Sequence, residues 1–415
     1  MGPLPLFTNN KERKMFYLGM IFLCFFSLLN TYQSYQNFTL NEIYHTNGTI
    51  INIYNKPNKT LLKIKNKDFT FFTSTFKETD LKIFDTVDLY LISKNISFYN
   101  YLKVLYLESF SIHKIITKKS TKQLLYNSIS LQHTQKGISS LYAALYIATP
   151  LTIEIRRLSA KLSLSHLIAI SGFHLGVMSF VLYFIIHLFY NKIHQSYFPY
   201  RNIKFDILIV IIGILLYYLY FLDTPPSLLR AFVMFVFALF LLRNNIQIVS
   251  FETLLIISVF ILALFPKLLF SLSLWFSILG VFDIFLFIKY FKNLHKYIQF
   301  ILFNFWIYMA INPITHYFFG TTAIEQLYSP ILTIVFTFFY PISVIAHLLH
   351  VGSSFDGLLQ FLIKLDIVSV EVYTPLWVLC IYIVLSLLSI QSKRVFIFLN
   401  ILMIVYMIWL FRFVF

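Results

Sequence analysis

The sequence predicts a polytopic α-helical membrane protein with an inserted small β-barrel domain, and three observations lead there. Of 415 residues, 59% are apolar, 19% are aromatic and only 12% are charged, which is the balance of a chain folded in lipid rather than in water. Spanning the hydrocarbon takes about 20 mostly apolar residues. Runs that approach this length occupy 15–30, 167–190, 205–222, 228–242, 248–265, 268–288, 297–313, 331–350, 376–389 and 395–413. Residues 31–116 are different: their apolar runs are short and alternate with polar residues, which is the period of strands.

The first run follows Lys11–Lys14, "KERK", and no small-residue cleavage site follows it, so residues 1–31 read as a cytoplasmic tip and a retained anchor. Residues 32–116 then form a periplasmic β domain. In "NGTIINIYN" Thr49, Ile51 and Ile53 share one face; in "TLLKIKN" Leu62 and Ile64 oppose Lys63 and Lys65; "FTFFTS", "FDTVDLYLIS" and "KVLYLESFSI" follow, with turns such as "NKPN" between. Five short strands suit a small closed barrel of the oligonucleotide/oligosaccharide-binding (OB) type, with a sandwich fragment as the competitor. Residues 117–165 read as amphipathic interfacial helices, with Thr149 and Pro150 opening the second, "LTIEIRRLSAKL". Residues 166–415 form the polytopic part. Two or three of its runs are expected to be re-entrant or interfacial, "INPITHYFFGTT" among them.

The chain has 33 Lys+Arg against 17 Asp+Glu, a formal net charge of +16, so its polar parts favour polyanions or anionic lipid heads. Between Thr31 and Lys136 there are fourteen lysines and seven acids, interleaved with Phe and Tyr. Lysines that track phosphate, beside rings on which bases stack, are what single-stranded nucleic acid requires. Lys63, Lys65, Lys67 and Lys103 of the insert, with Arg156 and Arg157 of the amphipathic helix, are the candidates. Lysines on a solvated barrel and aromatics in its core fit the same residues. Cys24 and Cys380 both fall in apolar runs, so no disulfide framework, cysteine metal cluster or cofactor is readable.

Three polar interruptions stand out in the apolar runs. "HLIAISGFHLG" holds His166, Ser171, Gly172 and His174. The two histidines are eight positions apart, about 80° around a helix, so a shared metal is disfavoured. Ser171 and His174 are three apart and can face each other, as a nucleophile and base would, but no acid is placed beside them. A break at Gly172 with polar groups lining a wet path is the other reading. "DTPPSLLRAFVMF" breaks the chain at Pro225 and Pro226, offers Ser227 as a cap, and sets Arg230 one turn inside the next helix. An arginine there marks a substrate path or snorkels to the interface. "SLSLWFSILG" carries Ser271, Ser273, Ser277 and Gly280, small residues that more often serve helix packing.

Together these stretches resemble the ComEC family of competence proteins, inner-membrane channels of naturally transformable bacteria. A signature of the form His-Leu-Leu-Ala-Ile-Ser-Gly-Leu-His-Val-Gly is met by His166–Gly176 at eight of eleven positions. A Pro-Ser-x-x-Arg-Ala pattern is met by Pro226, Ser227, Arg230 and Ala231, whereas a Gly-Phe-Gln-Leu-Ser-Phe pattern is met only in part, around Ser277. The resemblance implies a multi-pass protein of the bacterial inner membrane that passes single-stranded DNA into the cytoplasm and is not an enzyme. It marks His166, Ser171, Gly172, His174, Pro226, Ser227, Arg230 and Ser277 as pore candidates. Its implied partners are the lipid bilayer, single-stranded DNA, a periplasmic DNA-binding competence protein and a cytoplasmic translocation ATPase. Many family members carry a metallo-β-lactamase-like domain, but no His-x-His-x-Asp-His motif occurs here, which implies a separate nuclease for the other strand. A polytopic membrane enzyme (acyl transferase or intramembrane hydrolase) and a small-molecule exporter remain the alternative readings.

Overall fold

The computed structural model describes residues 6–7, 9–55, 59–67, 69–75, 81–94, 96–103, 105–115, 120–246 and 249–414. They form two compact units, one of residues 2–131 with 255–274 and one of 132–254 with 275–415.

The first unit begins with helix α1, Asn10–Thr39, which runs past the expected anchor because nothing between Asn30 and Thr39 breaks a helix. Strands β1 (Ile43–Asn55), β2 (Thr60–Lys65), β3 (Thr70–Thr75) and β4 (Thr86–Ile92) follow, then a short helix α2 (Phe98–Leu102), strands β5 (Leu105–Tyr106) and β6 (Ser109–Ile115), and helix α3 (Thr121–Leu131). The sheet is six-stranded, not five, in the order β5-β3-β2-β1-β4-β6. It is antiparallel apart from the parallel β3–β5 pair.

The sheet is open. The closed OB-like barrel expected from the alternation does not form among the described residues, because the end strands β5 and β6 share no ladder. Alternation specifies which face is buried, whereas closure depends on stagger and tilt between strands. Long β1 pairs β4 through its first half and β2 through its second, with a register shift between Ile50 and Asn52.

The inner face carries Ile50, Leu62, Ile64, Phe71, Val87, Leu89 and Leu91, sealed by Phe38 of α1 and Tyr101 of α2. Leu62 and Ile64 point inward opposite Lys63 and Lys65, as read from the sequence. In β1 Thr49, Ile51 and Ile53 do not share a face: Gly48 and Ile50 point inward, and after the register shift Ile53 pairs with Leu62 and packs against the same core. Isoleucines on both faces conceal the register there, and close passage of β2 decides it. A Cβ on Gly48 would lie 2.5 Å from Ile64 Cγ2.

The second unit begins with α4 (Lys136–Ile147), α5 (Ile153–Lys161) and the single turn α6 (Ser165–Ile168). Then come α7 (Gly172–Tyr197), α8 (Ile203–Phe221) and α9 (Pro226–Arg243), with α10 (Phe251–Leu264) reaching the unit boundary. After these follow α11 (Leu272–Phe291), α12 (Lys296–Phe318), α13 (Ser329–Leu348), α14 (Asp356–Ile363), α15 (Leu376–Leu388) and α16 (Lys393–Phe411).

Among the described residues, eight helices are long and apolar enough to cross a membrane, α1, α7, α8, α9, α11, α12, α13 with the turn before it, and α16. Helices α10 and α15 are apolar but shorter. The chain is a multi-pass membrane protein. Two local expectations are corrected. Thr149 and Pro150 lie in the link before α5, whose N-cap is Thr152. The first part of "INPITHYFFGTT" is not a re-entrant loop: α12 continues through Pro313 to Phe318. In lipid an unbroken helix satisfies its own backbone, and one internal proline is tolerated.

Helices α11, α12, α15 and α16 bury Phe287, Trp306, Tyr382, Phe396, Leu399 and Met403 in one cluster. Trp306 donates its indole N–H to Asn400 Oδ1 at 2.7 Å, which matches these two polar groups inside the greasy core.

Candidate functional site

Two of the three polar interruptions, at His166–Gly176 and at Pro225–Arg230, assemble around a chain break. Helix α4 stops at Ala148, in the left-handed conformation with φ 56°, and α5 ends in a tight turn at Ser163, φ 54°. The Leu164 N–H donates to Ser159 O at 2.7 Å and starts the single turn α6. Ala169 is extended, so α6 ends there, and Ser171, also extended, caps α7. His174, the third residue of α7, turns its ring back so that Nδ1 accepts the Ser171 N–H at 3.3 Å. Ser and His thus stand where Ser and Glu stand in an ordinary capping box.

Gly172 is not demanded by crowding. A Cβ there would make ordinary contact with Ala231 at 3.5 Å.

His174 is buried, and its ring meets Tyr340 edge-on at 4.7 Å and Phe336 at 5.8 Å, both on α13. Its Nε2 has no hydrogen-bond partner among the described residues.

On the other side of the break, α8 ends in two consecutive left-handed residues, Asp223 (φ 65°) and Thr224 (φ 51°), ahead of Pro225 and Pro226. Non-glycine residues pay about 1–3 kcal/mol each for such conformations, which persist where the surroundings impose them and cluster at functional sites. Pro226 opens α9, and the Ser227 hydroxyl donates to the Ile170 carbonyl at 2.7 Å. That bond satisfies a carbonyl freed by the broken helix and ties the second interruption to the first.

Between these parts lies a cavity of about 310 Å³. Its polar lining is Thr149, Arg156, Ser159, Ser165 and Ser227, and Ile168, Ala169, Ile170 and Pro225 supply apolar wall. The structure therefore brings Arg156, the signature break and the start of α9 to one place.

Arg230 lies one turn beyond Ser227 and is 3% exposed. It is not among the residues lining this cavity, nor are His166, His174 and Ser277. His166 is exposed on α6, Arg157 is exposed on α5 and Ser277 is half-buried on α11.

In the β unit, the outer face of β2 and β3 carries Lys63 over the Phe72 ring at 5.7 Å, with Tyr54 6.3 Å from Phe72. Burial pulls the Lys63 ammonium below the usual lysine range. Lys65 is half-buried on the same strand face, and Lys67 is exposed just beyond it. Lys103 is exposed and sits over Tyr99 at 5.6 Å. Lys56, Lys77, Lys118 and Lys119 lie outside the described residues.

Sequence reasoning passed over His133, His347 and Asp356, which form a buried hydrogen-bonded cluster. His133 stands more than two hundred residues from the other two, and the three match no motif spacing.

The competence-protein family matches residues 150–414, well over half of the chain and all of this cavity's lining beyond Thr149 and the end of α4. The chain belongs to that family. Membership supports a role in competence and DNA uptake, and it agrees with the signature read at His166–Gly176. Neither curated proteins nor solved structures give a match.

Proposed function

We propose that this chain is the inner-membrane channel that passes single-stranded DNA into the cytoplasm during transformation. The observation that carries the reading is the convergence of the broken helix at 169–171, the start of α9 and Arg156 on one cavity, with Arg230 one turn away. An anionic strand crossing a bilayer needs fixed cations and backbone that faces water where helices are interrupted.

The geometry at Ser171 favours this over a hydrolase. Its hydroxyl is 3.4 Å from His174 Nδ1, a nitrogen already engaged by the Ser171 N–H. The pair serves as a helix cap rather than as a nucleophile with its base.

A deletion strain given labelled duplex DNA tests the class. DNA is expected to reach the cell envelope and stay outside the cytoplasm. Normal entry of label into the cytoplasm would overturn the channel reading.

The open β unit, with Lys63 over Phe72 and Lys103 over Tyr99, is the proposed site of first contact with the strand. The full-length protein is expected to bind single-stranded DNA with an affinity that falls as salt rises, because each lysine on a phosphate releases counterions. The Lys63→Gln/Lys65→Gln/Lys103→Gln variant is expected to show a shallower salt slope. An unchanged slope would remove these lysines from the interface.

A further inference from the structure

The buried cluster missed by the sequence reading joins three distant parts of the second unit. His133 lies just ahead of α4, His347 is in the last turn of α13, and Asp356 opens α14. Asp356 Oδ1 is 2.8 Å from His133 Nδ1, and His133 Nε2 is 2.9 Å from His347 Nε2. His347 Nδ1 is 2.7 Å from the Ser343 carbonyl and 3.2 Å from the Tyr146 hydroxyl. The His133 side chain is fully buried, and Tyr142 stacks on its ring at 4.7 Å. Gln132 clamps the edge of the cluster, donating to the His347 carbonyl at 3.2 Å and accepting the Gly352 N–H at 3.1 Å. Only glycine fits at 352, since a Cβ would lie 2.7 Å from His347 Nε2.

The chain of contacts fixes a proton count. The Ser343 carbonyl can only accept, so His347 Nδ1 must carry a proton. One proton must lie between the two Nε2 atoms, and one between His133 Nδ1 and Asp356. Three protons therefore satisfy all three contacts, whether the last sits on the imidazole or on the carboxyl. With two, a contact inside the protein goes unmade. With four, either two N–H groups face each other at 2.9 Å or the carboxyl is neutralised on its second oxygen and its contact with His133 loses its charge. Either error is costly where water cannot compensate.

We propose that His133, His347 and Asp356 form a three-proton latch that holds α13 against α4 and thereby positions His174. The link to His174 is continuous. The Tyr146 hydroxyl donates to Ser343 Oγ at 2.8 Å, Ser343 Oγ donates to the Tyr340 carbonyl at 2.7 Å, and the Tyr340 ring packs edge-on against His174. The last step rests on the channel reading, which makes His174 part of the translocation site; the latch itself does not.

The other titratable groups around it are phenols: Tyr142 and Tyr146 of α4, Tyr340 of α13, and Tyr218 of α8, whose hydroxyl donates to the Tyr146 carbonyl. Burial raises Tyr142 and Tyr146 above the usual phenol range, so both stay protonated and Tyr146 stays a donor. Lys136 and His350, close by in the chain, are exposed.

Thermal unfolding of the full-length protein in lipid nanodiscs, followed from about pH 5 to about pH 9, reads the latch whether or not the chain carries DNA. A two-sided profile is expected, with the unfolding temperature falling on the acid side as a fourth proton enters and on the alkaline side as the third leaves. His133→Asn keeps an amide N–H for Asp356 but cannot titrate, so both limbs should flatten. His347→Gln should do the same. Both variants retaining the wild-type profile would overturn the latch. If the variants do not fold, imidazole ¹⁵N spectra of the wild-type protein decide: a coupling across an N–H···N bond between two histidines is expected, and two independently titrating rings would overturn it. DNA uptake should follow the same pH profile and flatten in His133→Asn. Uptake whose pH dependence is untouched by that variant would overturn the link to His174.

Discussion

Arg230→Gln is expected to leave the chain folded and inserted while lowering uptake of labelled DNA into the cytoplasm by roughly tenfold to a hundredfold, the worth of one charge-assisted hydrogen bond of about 1.5–3 kcal/mol. Arg230 is buried on α9, between the equally buried Leu228 and Phe232 and one turn from Ser227. A guanidinium keeps its proton at physiological pH. It cannot escape the cost of an apolar setting by neutralising, and at mid-membrane that cost is about 2.5–3.5 kcal/mol on insertion scales. A residue held there against such a cost is matched to something anionic or dipolar, and a passing phosphate fits a planar fork of donors. Arg230→Lys should retain part of the uptake, because the charge stays while the paired geometry is lost. The measurement is cytoplasmic label per cell at matched protein levels in the membrane. Near-normal uptake by Arg230→Gln would mean that the charge serves packing alone.

His174→Ala should be more damaging to the fold. It deletes a buried ring that meets Tyr340 at 4.7 Å and Phe336 at 5.8 Å, and it removes the acceptor of the Ser171 N–H. Large-to-small changes in packed cores cost roughly 2–5 kcal/mol, and loss of an N-terminal cap adds about 1 kcal/mol. A lower unfolding temperature and near-complete loss of uptake are expected. His174→Gln should recover part of both, since Gln in the third position of a helix can accept the same N–H. Ser171→Ala is the contrasting variant. It keeps the backbone N–H that His174 accepts, so uptake should persist at a reduced level. Abolition of activity by Ser171→Ala in a normally folded protein would replace the channel reading with the hydrolase reading.

How much of this was legible in the sequence differs by residue. The break at 169–171 could be read because Ser, Gly and His interrupt an apolar run, and local backbone preference places the interruption. Arg230 could be read because a charge in such a run is rare. The capping role of His174 could not be read, since His at that position resembles a catalytic partner of Ser171 until its nitrogen is seen accepting the Ser171 N–H. In β1 the alternation assigns 49, 51 and 53 to one face, and the register shift between Ile50 and Asn52, which no local pattern announces, puts Ile53 on the core side with Gly48 and Ile50.

The sequence by itself determined the multi-pass character, the inserted β unit, the family signature and the two broken helices. Each follows from composition or from a period within one stretch of chain, and in lipid the backbone has few alternatives to a helix. Tertiary structure alone decided that the sheet stays open. It also decided that Arg156 shares a cavity with Ile170 and Ser227, and that His133 meets both His347 and Asp356 across more than two hundred residues. Such meetings depend on how helices pack and on where strands stagger. A hydrogen bond between residues 214 positions apart leaves no periodicity in the chain to announce it.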